Sequence, residues 1–516
     1  MSIDRWRIVA ILAGALESVR TKVINLRTVL LALLAFFAAC PTFAQENIRP
    51  TPIPAVLTDE PTSVTHHVGI FNGRHVEYTA VAGNTIIHDR AGKATASMFS
   101  VAYLASNTSP LVRRPVTFLM NGGPSSASFW IQMGALGPKI VELHGPDSAD
   151  NGSPAHPIID NPDAFLDVTD LVFIDPVGTS YSHALGTSKD SDFFKTSSDA
   201  ASIADFIVKW LTQNKRWDSP RFVGGESYGS IRTALIFGHD PWISFNGAIL
   251  ISQGLDWGTV IMPRGYDLGY EQYLASYAAT AWYYHVVPQL TSVAAYVSQA
   301  TAFAYSDYAS ALAKGATLGA VERDQIADRL SQLTGVPTKI WIANDLRIPP
   351  AQFRRTILAD KGLRVGRFDS RFSTRAEPVF DPDEALDPSL SATAVPYLEA
   401  MRTYLVEDLK VERPSPYLPL APGEWTYDLD NDAFLNPAPH IGDAMRSNAA
   451  MRLFVASGYY DFSSPVASAA YNIGHAGIPM DRATMKYYET GHMMYVSPEA
   501  RHALLRDIRD FIVSSH

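Results

Sequence analysis

The chain has a single cysteine, Cys40, in 516 residues. No disulfide can form within one such chain, so the fold must be held by its apolar core. Positive charge is in deficit, with 42 Lys and Arg against 52 Asp and Glu for a net charge of −10. That argues against nucleic acid or an anionic membrane surface as the main partner. Beyond residue 39 no apolar run approaches the length of a membrane span. Internal repeats and long low-complexity tracts are absent, and no G-x-x-x-x-G-K-[ST] offers a phosphate-binding loop. No metal or cofactor is called for. What remains is an ordinary globular composition, 47% hydrophobic and 18% charged, which excludes wholesale disorder.

The one apolar run, "TVLLALLAFFAA" from Thr28 to Ala39, follows Arg20, Lys22 and Arg27. Its length suits the core of a signal peptide and is too short to cross a bilayer comfortably. Small residues in "TFA" place cleavage after Ala44, which predicts a periplasmic or secreted protein. A rival reading takes "FAAC" as a lipobox and anchors the chain through a lipid on Cys40, although Phe37 and Pro41 depart from that pattern. Removing residues 1–44 takes away five Lys/Arg and two Asp/Glu, so the mature charge falls by three to −13 and no cysteine remains. No stable membrane insertion is expected after that removal. The Pro-rich stretch over 45–62 reads as an extended lead-in.

From residue 63 onward, "HHVGIFNG" and "HVEYTAVAG" predict antiparallel strands at a sheet edge. After Pro115 the texture becomes alternating buried strands and helices. "VTFLM", "LVFID", "RFVGG", "GAILIS", "RLFVASG" and "TMKYYE" are compact apolar runs of the parallel-sheet kind. Ile203, Phe206, Ile207, Trp210 and Leu211 share one helix face, as do Leu504, Leu505, Ile508, Phe511 and Ile512. The predicted class is α/β, a mostly parallel sheet with helices on both faces. The alternation stops over 254–449, which predicts a large inserted cap between core segments 63–253 and 450–516. The aromatic run Tyr270 to Tyr284 within it is either core packing or the wall of a cleft.

Gly225-Glu226-Ser227-Tyr228-Gly229 is a G-x-S-x-G, in which flanking glycines permit a tight strand-to-helix turn around a nucleophilic serine. Such a serine needs a base, and the base needs an orienting acid. On this fold they follow in the order Ser, Asp, His, in loops after later strands. Asp461 in "RLFVASGYYDFSSP" and His492 in "ATMKYYETGHMMY" meet that order and placement. Their structural alternatives are an Asx turn for Asp461 and a packed imidazole for His492. The amide of Tyr228 and one from "FLMNGGPSS" would stabilise an oxyanion.

Together these residues resemble the serine carboxypeptidase family, in texture its bacterial exported branch, which has the α/β-hydrolase fold. The resemblance rests on "NGGPSSASFWIQMGALGP", "IDPVGTSYS" from Ile174 to Ser182, G-E-S-Y-G from Gly225 to Gly229, Ser457 to Asp461, and Gly491 to Met493. It implies that Asn121, Gly122 and Glu226 recognise the terminal carboxylate of a peptide with a free C-terminus, and that Gly123 and Tyr228 donate to the oxyanion. Glu226 would have to be protonated to do so, since two carboxylates a hydrogen bond apart cannot both be ionised. Activity is therefore expected to be highest in the acid range. Departures are Ser125 for a glycine, Leu119 for a tryptophan, the missing disulfide cysteines, a shorter "IDPVGTSYS" loop and a loose "ISQGLDW". If position 125 needs positive φ, its serine strains the loop.

The function expected is hydrolysis of C-terminal residues through Ser227, His492 and Asp461. Alternatives are a proline aminopeptidase-like, esterase or acyltransferase activity on the same fold, and a catalytically silent binding or lipid-anchored protein. Oligomeric state, side-chain preference and physiological peptide are not encoded in any feature recognised.

Overall fold

The computed structural model describes residues 61–106, 114–143, 145–146, 156–239, 243–376, 387–428 and 434–516. The signal segment, Cys40 and the lead-in up to residue 60 lie outside the described residues.

Ten strands form the main sheet. Nine lie on one path and are labelled β1 (Ser63–Phe71), β2 (Arg74–His88), β3 (Ala94–Ala105), β4 (Val116–Met120), β5 (Asp170–Ile174), β6 (Arg221–Glu226), β7 (Gly247–Ile251), β8 (Arg452–Gly458) and β9 (Ala483–Tyr488). The tenth, His183–Ala184, pairs with β3. In space the order is β1-β2-β3-β5-β4-β6-β7-β8-β9. The first three strands form an antiparallel meander joined antiparallel to β5, and every pair from β5 to β9 is parallel. The burial patterns follow from this. β4, β5 and β7 are buried at every residue, as strands covered on both faces must be. At the edge, β1 alternates exposed and half-buried residues.

Two apolar cores lie on opposite faces of the sheet. Helix α1 (Thr196–Gln213) puts Ile203, Phe206, Ile207, Trp210 and Leu211 into one of them, together with Phe118 and Met120 of β4. The helix Pro498–Ser514 puts Leu504, Leu505, Ile508, Phe511 and Ile512 into the other, with Leu119. Successive residues of β4 thus serve opposite layers, the period of two that a strand imposes. The chain leaves β4, adds β5 on one side and then β6 on the other. That reversal opens a crevice at the C-terminal ends of the strands, where open α/β sheets place their sites.

Between β7 and β8 the described chain is mainly helical and adds no strand to the main sheet. It has its own core. The helix Leu268–Tyr283 buries Tyr273 and Tyr277 there, and the Tyr277 ring stacks on Phe353 at a centroid distance of 4.0 Å. These two members of the aromatic run are therefore packing residues. Phe462, next to Asp461, belongs to the same core. No helix among the described residues is long and apolar enough to cross a membrane.

Candidate active site

Ser227 sits between the end of β6 and the helix α2 (Tyr228–His239) with φ +57°, a sparsely populated conformation for a residue with a Cβ. The strain is held in place by bonds on both sides. Ser227 N–H donates to the Ile251 carbonyl at 2.9 Å, and the Ser227 carbonyl accepts from Ser230 N–H at 2.9 Å and from Ser230 Oγ at 2.6 Å. The glycines around it are needed for close approach. A Cβ on Gly225 would lie 2.4 Å from the Gly229 carbonyl, and one on Gly229 would lie 2.7 Å from the Met120 carbonyl. One on Gly122 would lie 2.4 Å from Tyr228 N. The loop after β4 is thus pressed against the turn that carries Ser227. The amides of Gly122, Gly123 and Tyr228 have no acceptor within the protein among the described residues.

Asp461 follows β8 and is fully buried. Its Oδ1 accepts from the amides of Ser463 at 2.6 Å and Ser464 at 2.9 Å, and its Oδ2 lies 2.7 Å from His492 Nδ1. The Asx turn and the imidazole contact are both present, one on each oxygen. His492 follows β9; its carbonyl accepts from Ser252 Oγ, and its ring is buried. Burial lowers the His492 pKa, but the charge and hydrogen bond of Asp461, followed by the charge of Glu226, outweigh it, and the net shift is upward from 6.5. No hydrogen bond joins Ser227 Oγ to His492 among the described residues. In unliganded sites such contacts commonly tighten only once substrate is bound.

Glu226 ends β6 and is 3% exposed. Asn121 Nδ2 donates to its Oε2 at 2.8 Å, and Tyr495 OH donates to the same oxygen at 2.9 Å. Burial pushes its pKa up to about 7, although the His492 charge and the bonds from Tyr495 and Asn121 pull it down. The carboxyl beside Ser227 is therefore neutral for much of the range below pH 7. Asn121 is held in turn by the amide of Ile131, which donates to its Oδ1 at 3.1 Å.

The loop 121–128 is fixed from behind. Arg232, fully buried on α2, pairs with Asp199 of α1 and donates to the carbonyls of Asn121 and Pro124. From the front, Ala421 N–H donates to the Ser125 carbonyl at 2.8 Å and Ala127 N–H to the Pro419 carbonyl at 2.9 Å. The left-handed position in this loop is Gly123, with φ +110°, and Ser125 is not among the positive-φ residues. The serine in place of glycine therefore strains nothing.

Of the residues singled out from the sequence, the structure joins Asp461 to His492, Asn121 to Glu226, and Gly122 to the backbone of Tyr228. Tyr495 and Arg232 were missed. Tyr495 lies three residues beyond His492 in "GHMMY", and Arg232 five residues beyond Ser227; in neither case does a local pattern mark the contact.

Residues 88–235 match the family model described as serine carboxypeptidase. That span includes the loop 121–128, "IDPVGTSYS" and the turn carrying Ser227, and ends before Asp461 and His492. No curated protein sequence matches the chain. Among solved structures, Kex1(Δ)p, a prohormone-processing carboxypeptidase from Saccharomyces cerevisiae, is similar with a TM-score of 0.53 at 13% identity, covering 85% of this chain and 91% of its own. An esterase from Exiguobacterium antarcticum, at 11% identity and covering 83% of this chain and 99% of its own, reaches a TM-score of only 0.34. The fold is that of the α/β-hydrolases, and through residues 88–235 the chain is similar to the serine carboxypeptidases.

Proposed function

We propose that the protein is a serine-type carboxypeptidase that removes C-terminal residues from peptides, exported to the periplasm by its N-terminal segment. The observation that carries this reading is the buried Glu226, held by Asn121 and Tyr495 next to Ser227 with its pKa raised to about 7. A neutral carboxylic acid can donate a hydrogen bond to the terminal carboxylate of a peptide; an ionised one would repel it. A hydrolase indifferent to a free C-terminus has no use for such a group.

In the proposed reaction Ser227 Oγ attacks the last peptide carbonyl while His492 takes its proton, and the amides of Gly123 and Tyr228 stabilise the oxyanion. His492 then protonates the departing amino acid. Water, deprotonated by His492, hydrolyses the acyl-enzyme and restores Ser227. Asp461 holds the ring with Nδ1 protonated throughout.

The pH dependence has two limbs. His492 must be neutral to act as base, so activity falls as pH drops through its raised pKa. Glu226 must be protonated to bind substrate, so kcat/KM falls as pH rises through about 7. The limbs belong to the pair jointly, and the profile is bell-shaped.

Digesting one peptide set with free and amidated C-termini tests the proposal. Cleavage confined to the free acids is expected; equal cleavage of both sets would leave an esterase or aminopeptidase-like hydrolase as the better reading.

A further inference from the structure

A hairpin of the region between β7 and β8 ends on the two loops that carry Asp461 and His492. Leu363–Val365 and Ser373–Arg375 pair antiparallel, and Gly366 N–H closes the loop on the Phe372 carbonyl at 2.8 Å. The tip between them, residues 367–371, bonds to both neighbours of Asp461. Phe462 N–H donates to the Arg367 carbonyl at 3.0 Å, and Ser370 N–H donates to the Tyr460 carbonyl at 3.0 Å. The same tip grips the other loop. His492 N–H donates to the Phe368 carbonyl at 2.6 Å, and Gly491 N–H donates to Asp369 Oδ2 at 3.2 Å. Arg371, paired with Asp369 at 2.6 Å, donates to the Glu489 carbonyl at 2.9 Å and to Thr490 Oγ1 at 3.0 Å.

The fit is close. A Cβ on Gly491 would lie 2.4 Å from both Asp369 Cβ and the Phe368 carbonyl. The Phe368 ring lies 5.4 Å from the imidazole of His492, centroid to centroid. The tip is itself braced from behind. Ser370 Oγ meets Thr280 Oγ1 at 2.6 Å, Tyr284 OH donates to the Arg371 carbonyl at 2.6 Å, and Arg367 N–H donates to Asp387 Oδ2 at 2.6 Å. The two loops also touch each other, through Tyr459 N–H to the Tyr488 carbonyl and Tyr460 N–H to the Thr490 carbonyl, both at 3.0 Å. The hairpin adds a third side to that contact.

We infer that the hairpin tip 367–371 is a positioning element for the Asp461–His492 pair, with Asp369 and Arg371 as its working residues. The tip acts on the chemistry mainly by holding the two loops, with the Phe368 ring beside the imidazole and the Arg367 charge, which lowers the His492 pKa, as its direct influences. The inference rests on reading Ser227, Asp461 and His492 as the triad. It makes the inserted region part of the catalytic apparatus rather than a separable cover.

The test uses the full chain. Labelling of the wild type by a fluorophosphonate probe, absent in Ser227→Ala, comes first; a wild type that does not label defeats the triad reading itself. With labelling established, Arg371→Ala, Arg371→Lys and the near-isosteric Thr490→Val are compared. Loop displacement of an ångström or less is enough for Arg371→Ala to label, and to turn over peptide, about tenfold or more slowly, with KM nearly unchanged. Charged groups acting on His492 are Asp461 and Glu226, which raise its pKa, and Arg367, which lowers it. A loosened Asp461 contact therefore moves the acid limb of kcat to lower pH. Thr490→Val shows the same shift at smaller amplitude, and Arg371→Lys lies between it and the alanine variant. Should Arg371→Ala fail to fold, the other two variants decide. Unaltered labelling rates and an unmoved acid limb in them, whatever their thermal stability, overturn the inference.

Discussion

At the scale of single residues, Glu226 controls two measurable things. Its folded pKa is raised from 4.5 to about 7, so its contribution to stability is fully present below pH 4.5 and is lost as pH rises through about 7. A shift of that size corresponds to about 3 kcal/mol. Glu226→Gln should remove this slope, seen as denaturation midpoints that diverge between pH 4.5 and 8 for the wild type relative to the variant. The same substitution supplies a donor at every pH, so the alkaline limb of kcat/KM should flatten. A variant whose activity falls as steeply as wild type above pH 7 would remove Glu226 from substrate binding. Tyr495→Phe works in the opposite sense. The Tyr495 bond pulls the Glu226 pKa down, so its loss should move the alkaline limb to higher pH while weakening binding. Asp461 and His492 could be picked from the sequence because strand ends and chain order marked them. Tyr495 could not, since an aromatic three residues past a histidine is equally well a core residue, and Tyr495 is fully buried among apolar neighbours.

At the scale of elements, the loop 121–128 divides its glycines by function. Gly122 is required by proximity and Gly123 by its φ of +110°. Either changed to alanine must move backbone, and overpacking of this kind costs about 1–3 kcal/mol. Chemical denaturation should show that loss for Gly122→Ala, with Ser227 labelling slowed as well. Ser125→Gly is the contrasting case. With no positive φ to relieve, it should leave the site intact and lower stability by less than about 1 kcal/mol through added freedom of the unfolded chain. The sequence pattern led to the opposite suspicion, because a missing family glycine looks like strain when the backbone is unseen. The strands β4 to β8 were legible: they are short and apolar, and their pattern survives without tertiary information. β9, expected as a buried run, is instead an edge strand with only Tyr488 buried. The hairpin 363–375 was not legible, since three-residue strands have no period and the loops its tip bonds lie about 100 residues further on.

At the scale of the whole molecule, buried ion pairs tie helices to the loops they serve. Arg232 and Asp199 join α1, α2 and the loop after β4 in one fully buried contact. Replacing Arg232 with methionine leaves Asp199 buried without its counter-charge, and breaking such a pair costs about 3–5 kcal/mol. Urea unfolding should register that loss, and Asp199→Asn with Arg232→Met together should recover part of it. Fold class followed from composition and alternation because an α/β sheet with two covered faces needs long runs of apolar strand. The contacts between the chain from β7 to β8 and the core did not follow, because they are scattered backbone bonds, charged pairs and ring contacts between residues far apart in sequence, without periodicity.

The hairpin tip also sets an order of events during synthesis. Ser227 and the loop 121–128 belong to the first half of the chain, the tip emerges some 140 residues later, and residues 461–492 later still. On the proposed reading, a nascent chain that has made the tip but not residues 461–492 carries Ser227 without its base. On that reading, catalysis waits until these loops reach the tip.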